Sequence, residues 1–311
     1  MNTNIKSTSF GHIAAFFTIV IWGTTFIATK VLLRVLTPVE ILFCRFFLGY
    51  LILWLVTPKG LRLDNRRQEF YFMAAGLLGV TLYFLLENFA LTLTLAANVG
   101  VIIAIAPFFT ALFDYFFLHG ERPGPRFFIG FIVAITGICL ISFRGDNTVQ
   151  LNPAGDLLAI TAAVVWAGYS TFTKKISSFG YGTILTTRRI FFYGLLFMVP
   201  ALFIFGFHLD LSVFIEFKNL ANILFLGFGA SALCFVTWNL AVKLLGPVKT
   251  SVYIYMVPVI TVVTSVIILH EHITLPAILG IGLTIAGLLL SESRLNFKRQ
   301  KIVNEKEELR S

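Results

Sequence analysis

The sequence predicts an all-α membrane protein with ten transmembrane helices, arranged as two inverted five-helix repeats. Three observations lead to this fold class: an apolar composition, a residue pattern that occurs twice, and an uneven distribution of positive charge among the loops. Of the 311 residues, 58% are hydrophobic and 13% are charged, whereas soluble domains carry about 25% charged residues. The mean hydropathy of +0.89 therefore assigns the chain to a lipid bilayer.

Ten apolar runs are long enough, at roughly 20 residues each, to cross the hydrocarbon core. We number them spans 1 to 10; they cover residues 11–33, 38–57, 70–91, 96–119, 126–143, 154–174, 184–206, 220–242, 248–270 and 275–291. Span 1 lacks the small-residue cleavage site of a signal peptide, so we expect it to be retained. Residues 1–10 form a short head, and residues 293–311 form a polar tail without apolar periodicity.

The same ordered residues occur in both halves of the chain. Trp22 and Lys30 recur 144 positions later as Trp166 and Lys174. At an offset of 151 or 150 positions, six further residues recur as Asn239, Ala241, Pro258, Leu269, Gly280 and Gly287. This self-similarity predicts one repeat over residues 11–143 and a second over residues 154–292. Because each repeat has five spans, an odd number, the second copy must enter the bilayer from the opposite side.

Positive charge in the loops predicts the orientation. With the N-terminus in the cytoplasm, 17 of the 24 Lys and Arg residues fall in cytoplasmic segments and four fall outside. The cytoplasmic ones lie before residue 11, at 59–67, 122–126, 174–175 and 243–249, and after residue 293. Cytoplasmic loops of membrane proteins are enriched in Lys and Arg. Both termini are therefore predicted to be cytoplasmic, in the inner or plasma membrane.

Several other classes of function are disfavoured. The net charge of +9 follows from the cytoplasmic loops and gives no reason to expect nucleic-acid binding. The three cysteines lie singly in apolar runs, without metal or disulfide spacing. His270-Glu271-His272 lacks the second histidine of a zinc motif, since Thr274 stands in its place. No nucleotide-binding or serine-hydrolase motif is present, so we expect no cofactor, no metal and no enzymatic activity.

Two spans carry polar and aromatic side chains on one helical face. In span 1 the face consists of Thr18, Trp22, Thr25 and Thr29; in span 6 it consists of Trp166, Tyr169, Ser170 and Thr173. Such a face should avoid lipid and contact protein or a cavity. Either ordinary helix packing or cavity lining satisfies the pattern, and we favour cavity lining because the two spans correspond in the two repeats.

Glu87 is the most informative single residue, because an ionisable group inside a span is costly and usually has a function or a partner. It shares a face of span 3 with Gly76, Tyr83 and Ala90. It could bind an amine-bearing substrate or take up a proton during exchange. Arg45 in span 2 lies at a similar depth, roughly 6 to 11 Å from the outer ends of the helices. A structural Arg45–Glu87 ion pair is therefore an equally weighted alternative.

Three further features concern the shape of the bundle. Asp114 and Arg189 lie at a similar depth near the inner surface, which predicts a gate contact or ion pair, with solvated helix-end charges as the alternative. Pro107 and Pro258 interrupt spans 4 and 9, and could act as hinges or simply shape the cavity. Glycines at helical spacing in spans 5 and 10 predict close helix packing. Ten helices form a complete unit, so we expect a functional monomer.

These residues together resemble a known family, the EamA-type ten-helix transporters of the drug/metabolite transporter superfamily. In the first half the resemblance rests on Trp22, Gly23, Lys30, Pro38, Arg45, Phe46, Asn88, Phe89, Ala90, Leu91, Ala106, Pro107, Gly120, Glu121 and Arg122. In the second half it rests on Trp166, Lys174, Arg189, Asn239, Leu240, Ala241, Val257, Pro258, Glu271 and Gly280. The resemblance implies export or exchange of small metabolites, often amino acids. It also implies a central cavity lined mainly by spans 1, 3, 4, 6, 8 and 9.

One position departs from the internal symmetry. Asn88 and Asn239 correspond, but Glu87 before the first corresponds to Trp238 before the second. The two walls of the expected cavity thus differ chemically. Aromatic residues that could stack on a substrate are Trp22, Tyr83, Trp166, Tyr169, Trp238, Tyr253 and Tyr255.

The residues and the resemblance together predict a secondary active exporter or exchanger of small metabolites, with amino acids as the leading substrate class, that works by alternating access. A flippase for lipids or lipid-linked sugars is the first alternative, and the polar faces of spans 1 and 6 argue mildly against it. An intramembrane enzyme or a sensor is the second alternative. The expected partners are a small-molecule substrate and the bilayer.

Overall fold

A computed structural model of the protein describes residues 2–93, 96–120, 122–142, 152–269 and 275–292. Within these residues the protein is helical and has no strand. The α-helices are α1 (Asn2–Leu32), α2 (Pro38–Val56), α3 (Gln68–Gly76), α4 (Tyr83–Leu93), α5 (Ala96–Ile103), α6 (Ala106–Phe117), α7 (Pro125–Ser142), α8 (Pro153–Ser177), α9 (Thr183–Phe205), α10 (Phe217–Leu224), α11 (Cys234–Leu245), α12 (Pro247–Ser251), α13 (Met256–Leu269) and α14 (Leu275–Glu292). The predicted tail and the His270-Glu271-His272 segment lie outside the described residues.

Helix ends follow from local chemistry. Thr37 and Glu40 form a capping box before α2, in which each side chain accepts a hydrogen bond from the other residue's backbone. Asn152 caps α8 by accepting a hydrogen bond from the backbone nitrogen of Gly155. Gly246 ends α11 with a φ of +90°. A residue with a β-carbon rarely adopts this conformation, which explains why a glycine suits this position.

Six helical stretches are long and apolar enough to cross a membrane. They are Thr8–Thr29, Pro38–Val56, Gln68–Leu93, Pro153–Ser177, Thr183–Phe205 and Phe217–Leu245. Two shorter apolar helices, Pro125–Leu140 and Ile278–Ser291, fall in spans 5 and 10. Large apolar side chains on the outer surface, such as Phe203 at 83% exposure and Ile204 at 74%, are suited to lipid contact.

Spans 4 and 9 differ from the uninterrupted runs predicted from hydrophobicity. Span 4 is divided into α5 and α6, and Pro107 is the second residue of α6. Span 9 is divided into α12, a 3-10 segment (Val252–Tyr255) and α13, which contains Pro258. Because proline has no backbone N–H to donate to the preceding turn, a helical ladder is broken just before each proline.

Spans 3 and 8 each contain a π-helical segment, which hydrophobicity did not reveal. Residues Leu77–Leu82 join α3 to α4, and Phe225–Leu233 join α10 to α11. Shifted by the 151 positions that relate Asn88 to Asn239, the first segment falls within the second. A π-helical turn inserts an extra residue, and such turns occur frequently at functional sites.

The closest helix packing joins the two halves of the chain, and its most extensive contact is between α7 and α14. A β-carbon at Gly137 would lie 2.6 Å from the carbonyl oxygen of Gly280, and one at Gly287 would lie 2.6 Å from that of Gly130. Only glycine permits these approaches. A second region of close packing places Gly76 against Gly194, and Gly49 against Gly227.

Candidate functional site

A cavity lies between helices of both halves of the chain, and its space, including the part that is open to solvent, is about 510 Å³. Its walls come from α1, α2, α4, α5, α8, the 3-10 segment of span 9 and the first turn of α13. The lining residues are Trp22, Thr25, Arg45, Tyr83, Phe84, Glu87, Ile103, Trp166, Ile254 and Val257. Mostly apolar walls with a few polar groups are typical of small-molecule sites.

Arg45 supplies the positive charge of the cavity. It is 3% exposed, and its Nε donates a hydrogen bond to Ser231 Oγ at 3.0 Å. The guanidinium carbon lies 4.5 Å from the centre of the Phe84 ring and 5.3 Å from that of Phe46. Arginine stacks favourably on aromatic faces. Ser231, in the second π-helical segment, and these two rings therefore hold the guanidinium in place.

Glu87 supplies the negative charge on the neighbouring wall. It is 8% exposed, and its Oε2 is buried without a hydrogen-bond partner. Tyr83, one turn earlier on α4, lies within hydrogen-bonding reach of this carboxyl group. Arg45 and Glu87 interact electrostatically and line the same cavity, but they do not form a direct salt bridge. The two opposite charges thus line one cavity without a direct ion pair between them.

Three tryptophans meet at one end of the cavity. The ring centres of Trp22 and Trp166 are 5.4 Å apart, those of Trp22 and Trp238 are 5.1 Å apart, and those of Trp166 and Trp238 are 5.8 Å apart. Tyr83 packs on Trp166 at 4.7 Å. Trp22 Nε1 donates a hydrogen bond to the Ala230 carbonyl at 2.9 Å. By contrast, the ring nitrogens of Trp166 and Trp238 are buried without a partner.

Five residues that the sequence placed on the cavity wall do not line this cavity. Asn88 Nδ2 donates a hydrogen bond to the Pro38 carbonyl at 3.3 Å. Asn239 accepts a hydrogen bond from the Tyr169 hydroxyl at 2.6 Å and donates one to Thr187 Oγ1 at 3.0 Å. Buried amides need hydrogen-bond partners, and the amides of Asn88 and Asn239 find theirs on neighbouring helices. The other three residues, Tyr169, Ser170 and Trp238, are fully buried.

Near the predicted inner surface, Arg189 is not paired with Asp114 as the sequence suggested. Its Nη2 lies 2.5 Å from Oε2 of Glu69, its Nε lies 2.8 Å from Oε1, and its Nη1 donates to the Leu61 carbonyl at 2.8 Å. The Tyr193 hydroxyl also contacts Glu69. Asp114 instead interacts electrostatically with Lys174 on α8. The expectation was wrong because similar depth does not determine which way two helices face.

Arg188 and Tyr181 extend this network along the segment between α2 and α3. Arg188 Nη1 contacts the Thr57 carbonyl, and its Nη2 donates to the Lys59 carbonyl at 2.5 Å. The Tyr181 hydroxyl lies 3.0 Å from Asp64 Oδ2 and 2.7 Å from Gln68 Oε1. The segment is thus fastened to the start of α9. Sequence reasoning missed Glu69 because it follows a basic loop and is typical there of a solvated helix start.

The described residues contain no cluster of three metal-binding side chains. Pro107 is buried behind the cavity, one turn from the lining residue Ile103, and Pro258 directly follows the lining residue Val257. Both prolines therefore lie next to the wall of the cavity, at the interruptions of spans 4 and 9.

Comparison with known proteins supports a transport function. The profile of the EamA-like transporter family matches residues 9–143 and again residues 153–292. A probable terminal-alkyne amino-acid exporter of Streptantibioticus cattleyicolor is 28% identical, over 91% of this chain and 94% of the relative. A probable amino-acid metabolite efflux pump of Escherichia coli is 24% identical, over 92% of this chain and 96% of the relative.

An uncharacterized transporter of Archaeoglobus fulgidus is 28% identical, over 91% of this chain and 97% of the relative. A solved crystal structure shares the fold, with a TM-score of 0.74 over 94% of this chain and 99% of the other, at 19% identity. The family and these relatives are transporters, and the described helices suit a multi-pass membrane protein. Both matched segments together span nearly the whole sequence, and the chain belongs to the EamA-like transporter family.

Proposed function

We propose that this protein is a secondary active exporter or exchanger of small metabolites, with amino acids as its main substrates, and that it works by alternating access. Membership of a transporter family supports the general activity. Two relatives are named as an amino-acid exporter and an amino-acid metabolite efflux pump, which supports the substrate class.

The observation that carries the proposal is the pair of opposite charges in one aromatic-walled cavity. Among the described residues, the only protein hydrogen bond of the Arg45 guanidinium is from Nε to Ser231. The two terminal nitrogens can therefore bind a carboxylate in the bidentate manner that arginine favours. Glu87 Oε2 lacks a hydrogen-bond partner and can accept one from an ammonium group. A zwitterionic amino acid satisfies both charges at once.

The walls of the cavity fit the remainder of such a substrate. Trp22, Tyr83, Phe84 and Trp166 surround the charges with aromatic surface. An apolar or aromatic side chain buried there loses its contact with water, which favours binding by about 25 cal/mol for each Å² of apolar area.

We further propose that ten spans form two inverted repeats, with units at residues 11–143 and 154–292 and both termini in the cytoplasm. The family profile matches twice at nearly these limits. Gly130 faces Gly287 and Gly137 faces Gly280, so corresponding residues exchange contacts across α7 and α14. The π-helical segments occupy corresponding places in spans 3 and 8. We propose the monomer as the transporting unit.

Counterflow in proteoliposomes tests the proposal. Purified protein is reconstituted with a high internal concentration of unlabelled amino acid, and uptake of the same labelled amino acid is followed. A thermal-shift screen of amino acids and nucleosides selects the compounds. We expect counterflow with zwitterionic amino acids and at least a tenfold loss in Arg45→Gln.

The matched control is Lys218→Gln, which removes an exposed positive charge outside the cavity and should leave counterflow intact. Counterflow that is absent for every amino acid, while labelled lipid moves between leaflets, would reject the proposal in favour of a flippase. Equal loss in both variants would show that the effect comes from net charge and not from the cavity.

A further inference from the structure

Three tryptophans pack against one another at the wall of the cavity, and two of them, Trp22 and Trp166, line it. They come from three helices, Trp22 from α1, Trp166 from α8 and Trp238 from α11, and all three ring pairs are in contact. Phe235 packs against Trp22 at 5.8 Å and against Trp166 at 6.2 Å. We refer to Trp22, Trp166 and Trp238 as the tryptophan cluster.

Along α1 and α8 the lining residues of the cavity lie on one side of this cluster. On α1 the cavity reaches Trp22 and Thr25, but not Thr18, one turn before Trp22. On α8 it reaches Trp166, but not Ser170, one turn after it. Because α1 and α8 run in opposite directions in the proposed topology, both limits place the part of the cavity along these two helices on the outer side of the cluster.

On the cytoplasmic side of the cluster the helices are closed together. Thr18 Oγ1 lies 2.6 Å from Thr237 Oγ1, which joins α1 to α11. His12 Nδ1 lies 2.7 Å from the Tyr253 hydroxyl, which joins α1 to span 9. An inward-facing state would have to separate these contacts.

Buried polar atoms without partners lie in and just beyond the cluster. Ser170 is 1% exposed and its Oγ has no hydrogen-bond partner; Trp238 is 0% exposed and its Nε1 has none either. Buried polar groups are normally satisfied, and each exception needs an explanation. Trp22, in contrast, is anchored by its hydrogen bond to Ala230.

We propose that the tryptophan cluster is the cytoplasmic gate of the cavity, and that Ser170 Oγ and Trp238 Nε1 form a polar subsite for the substrate on the cytoplasmic side of that gate. The inference rests on the proposed alternating-access function. Trp22 is the fixed member, and Trp166 and Trp238 are the members that move. When they part, their ring nitrogens and the Ser170 hydroxyl gain partners from the substrate or water. The polar atoms left unsatisfied in the closed state thereby favour opening.

Cysteine labelling from one side of the membrane tests the gate. The background variant replaces Cys44, Cys139 and Cys234 by alanine, and Ser170→Cys then places a thiol of similar size at the subsite. A membrane-impermeant methanethiosulfonate is added to the cytoplasmic face of inside-out vesicles. We expect slow labelling at rest, and labelling at least tenfold faster when Trp166→Ala is added or when a mixture of the common amino acids drives turnover.

Ser178→Cys is the matched control, because this exposed residue follows α8 at the same membrane face and should react equally fast in every variant. The gate proposal would be overturned if Ser170→Cys were labelled only from the outer face. It would also be overturned if the labelling rate were the same under all conditions. If Trp166→Ala fails to fold, the test still stands, because labelling of Ser170→Cys during amino-acid turnover is measured with Trp166 in place. Transport by the background variant is measured in the same vesicles. Absence of amino-acid transport by this variant would count against the proposed function and not against the gate.

Sided kinetics test the subsite. Ser170→Ala should raise the half-saturating amino-acid concentration several-fold at the cytoplasmic face while leaving it unchanged at the outer face, with the maximal rate retained. An equal increase at both faces would show a general structural defect, and no increase at either face would remove Ser170 from the path.

Discussion

Glu69 and Arg189 form a two-point ion pair that joins the start of α3 to α9, with Nη2 to Oε2 at 2.5 Å and Nε to Oε1 at 2.8 Å. The pair crosses from one half of the sequence to the other. Arg189 also holds the Leu61 carbonyl, so the connection between α2 and α3 is fastened at the same point. These three helices therefore behave as one packed unit, beside the cavity and not across it.

Glu69→Gln should lower the thermal stability of the purified protein without changing substrate affinity. About a quarter of each side chain is exposed, 26% and 27%, so solvent weakens the pair. We expect a loss of about 1 kcal/mol, because partly exposed pairs contribute little even with good geometry. The measurement is the unfolding midpoint in detergent. The double variant with Arg189→Gln should lose less than the sum of the single variants, and strict additivity would contradict the coupling.

Gly137→Ala should destabilise the protein by about 1–3 kcal/mol, because overpacking a tight contact forces helices apart. The added β-carbon would lie 2.6 Å from the Gly280 carbonyl oxygen. Gly282→Ala is the matched control: it lies on α14, and a β-carbon there meets nothing within 4 Å. Thermal unfolding should show a loss for the first variant only. Equal losses would mean that α7 and α14 do not pack as described.

Glu87→Gln tests whether this carboxyl group couples transport to protons. If Glu87 exchanges a proton for the substrate ammonium, counterflow should depend on pH in the unaltered protein and become nearly independent of pH in the variant. Tyr83→Phe serves for comparison, since it removes the hydroxyl near Glu87 while leaving the carboxyl group. Wild-type rates and pH dependence in Glu87→Gln would contradict proton coupling and leave Glu87 only an electrostatic, structural interaction with Arg45.

Arg45→Lys should reduce amino-acid affinity even though the charge is kept. A lysine ammonium cannot bind a carboxylate at two points or stack on Phe84, whereas the guanidinium lies 4.5 Å from that ring. We expect the half-saturating concentration to rise by roughly tenfold, which corresponds to about 1.4 kcal/mol. Ser231→Ala, which removes only the Nε partner, should give a smaller rise in the same assay. A rise in Ser231→Ala that exceeds the one in Arg45→Lys would contradict the assigned roles.

Pro107→Ala tests for a hinge in span 4. Alanine restores a backbone N–H, so α5 and α6 can join into one helix. If Pro107 acts as a hinge, the variant should have a several-fold lower maximal rate with little change in affinity. If Pro107 only shapes the cavity, the affinity should change and the maximal rate should stay nearly the same. Pro258→Ala should act similarly, since span 9 is interrupted at the corresponding place. Unchanged rates in both variants would remove the hinge.

Some of the site could be predicted from the sequence and some could not, for physical reasons. Depth along a helix follows from residue counting, and this brought Arg45 and Glu87 to one level. Rotation about the helix axis depends on tertiary packing, so depth alone predicts a contact of Arg189 with Asp114, whereas the structure pairs Arg189 with Glu69. Asn88 and Asn239 were placed on the cavity wall because they correspond in the repeats, yet their amides satisfy backbone and side-chain groups of neighbouring helices.

The π-helical segments were also beyond sequence reasoning. Leu77–Leu82 and Phe225–Leu233 have the same apolar character as the α-helices around them. Their extra residue is visible only in the hydrogen-bond ladder. One consequence concerns the site, because Ser231 reaches Arg45, and Ala230 reaches Trp22, from within the second segment.

The glycine contact between α7 and α14 has a consequence for ancestry. Gly130 with Gly287 and Gly137 with Gly280 make an antiparallel, self-complementary surface of the kind found in symmetric dimers. A single five-helix precursor could have used this face to bind a second copy of itself inserted the other way up. After gene fusion, the two halves would no longer have had to share one sequence. One half could keep an acid at position 87 while the other acquired an indole at position 238, and a symmetric pore could become a chemically polarised one.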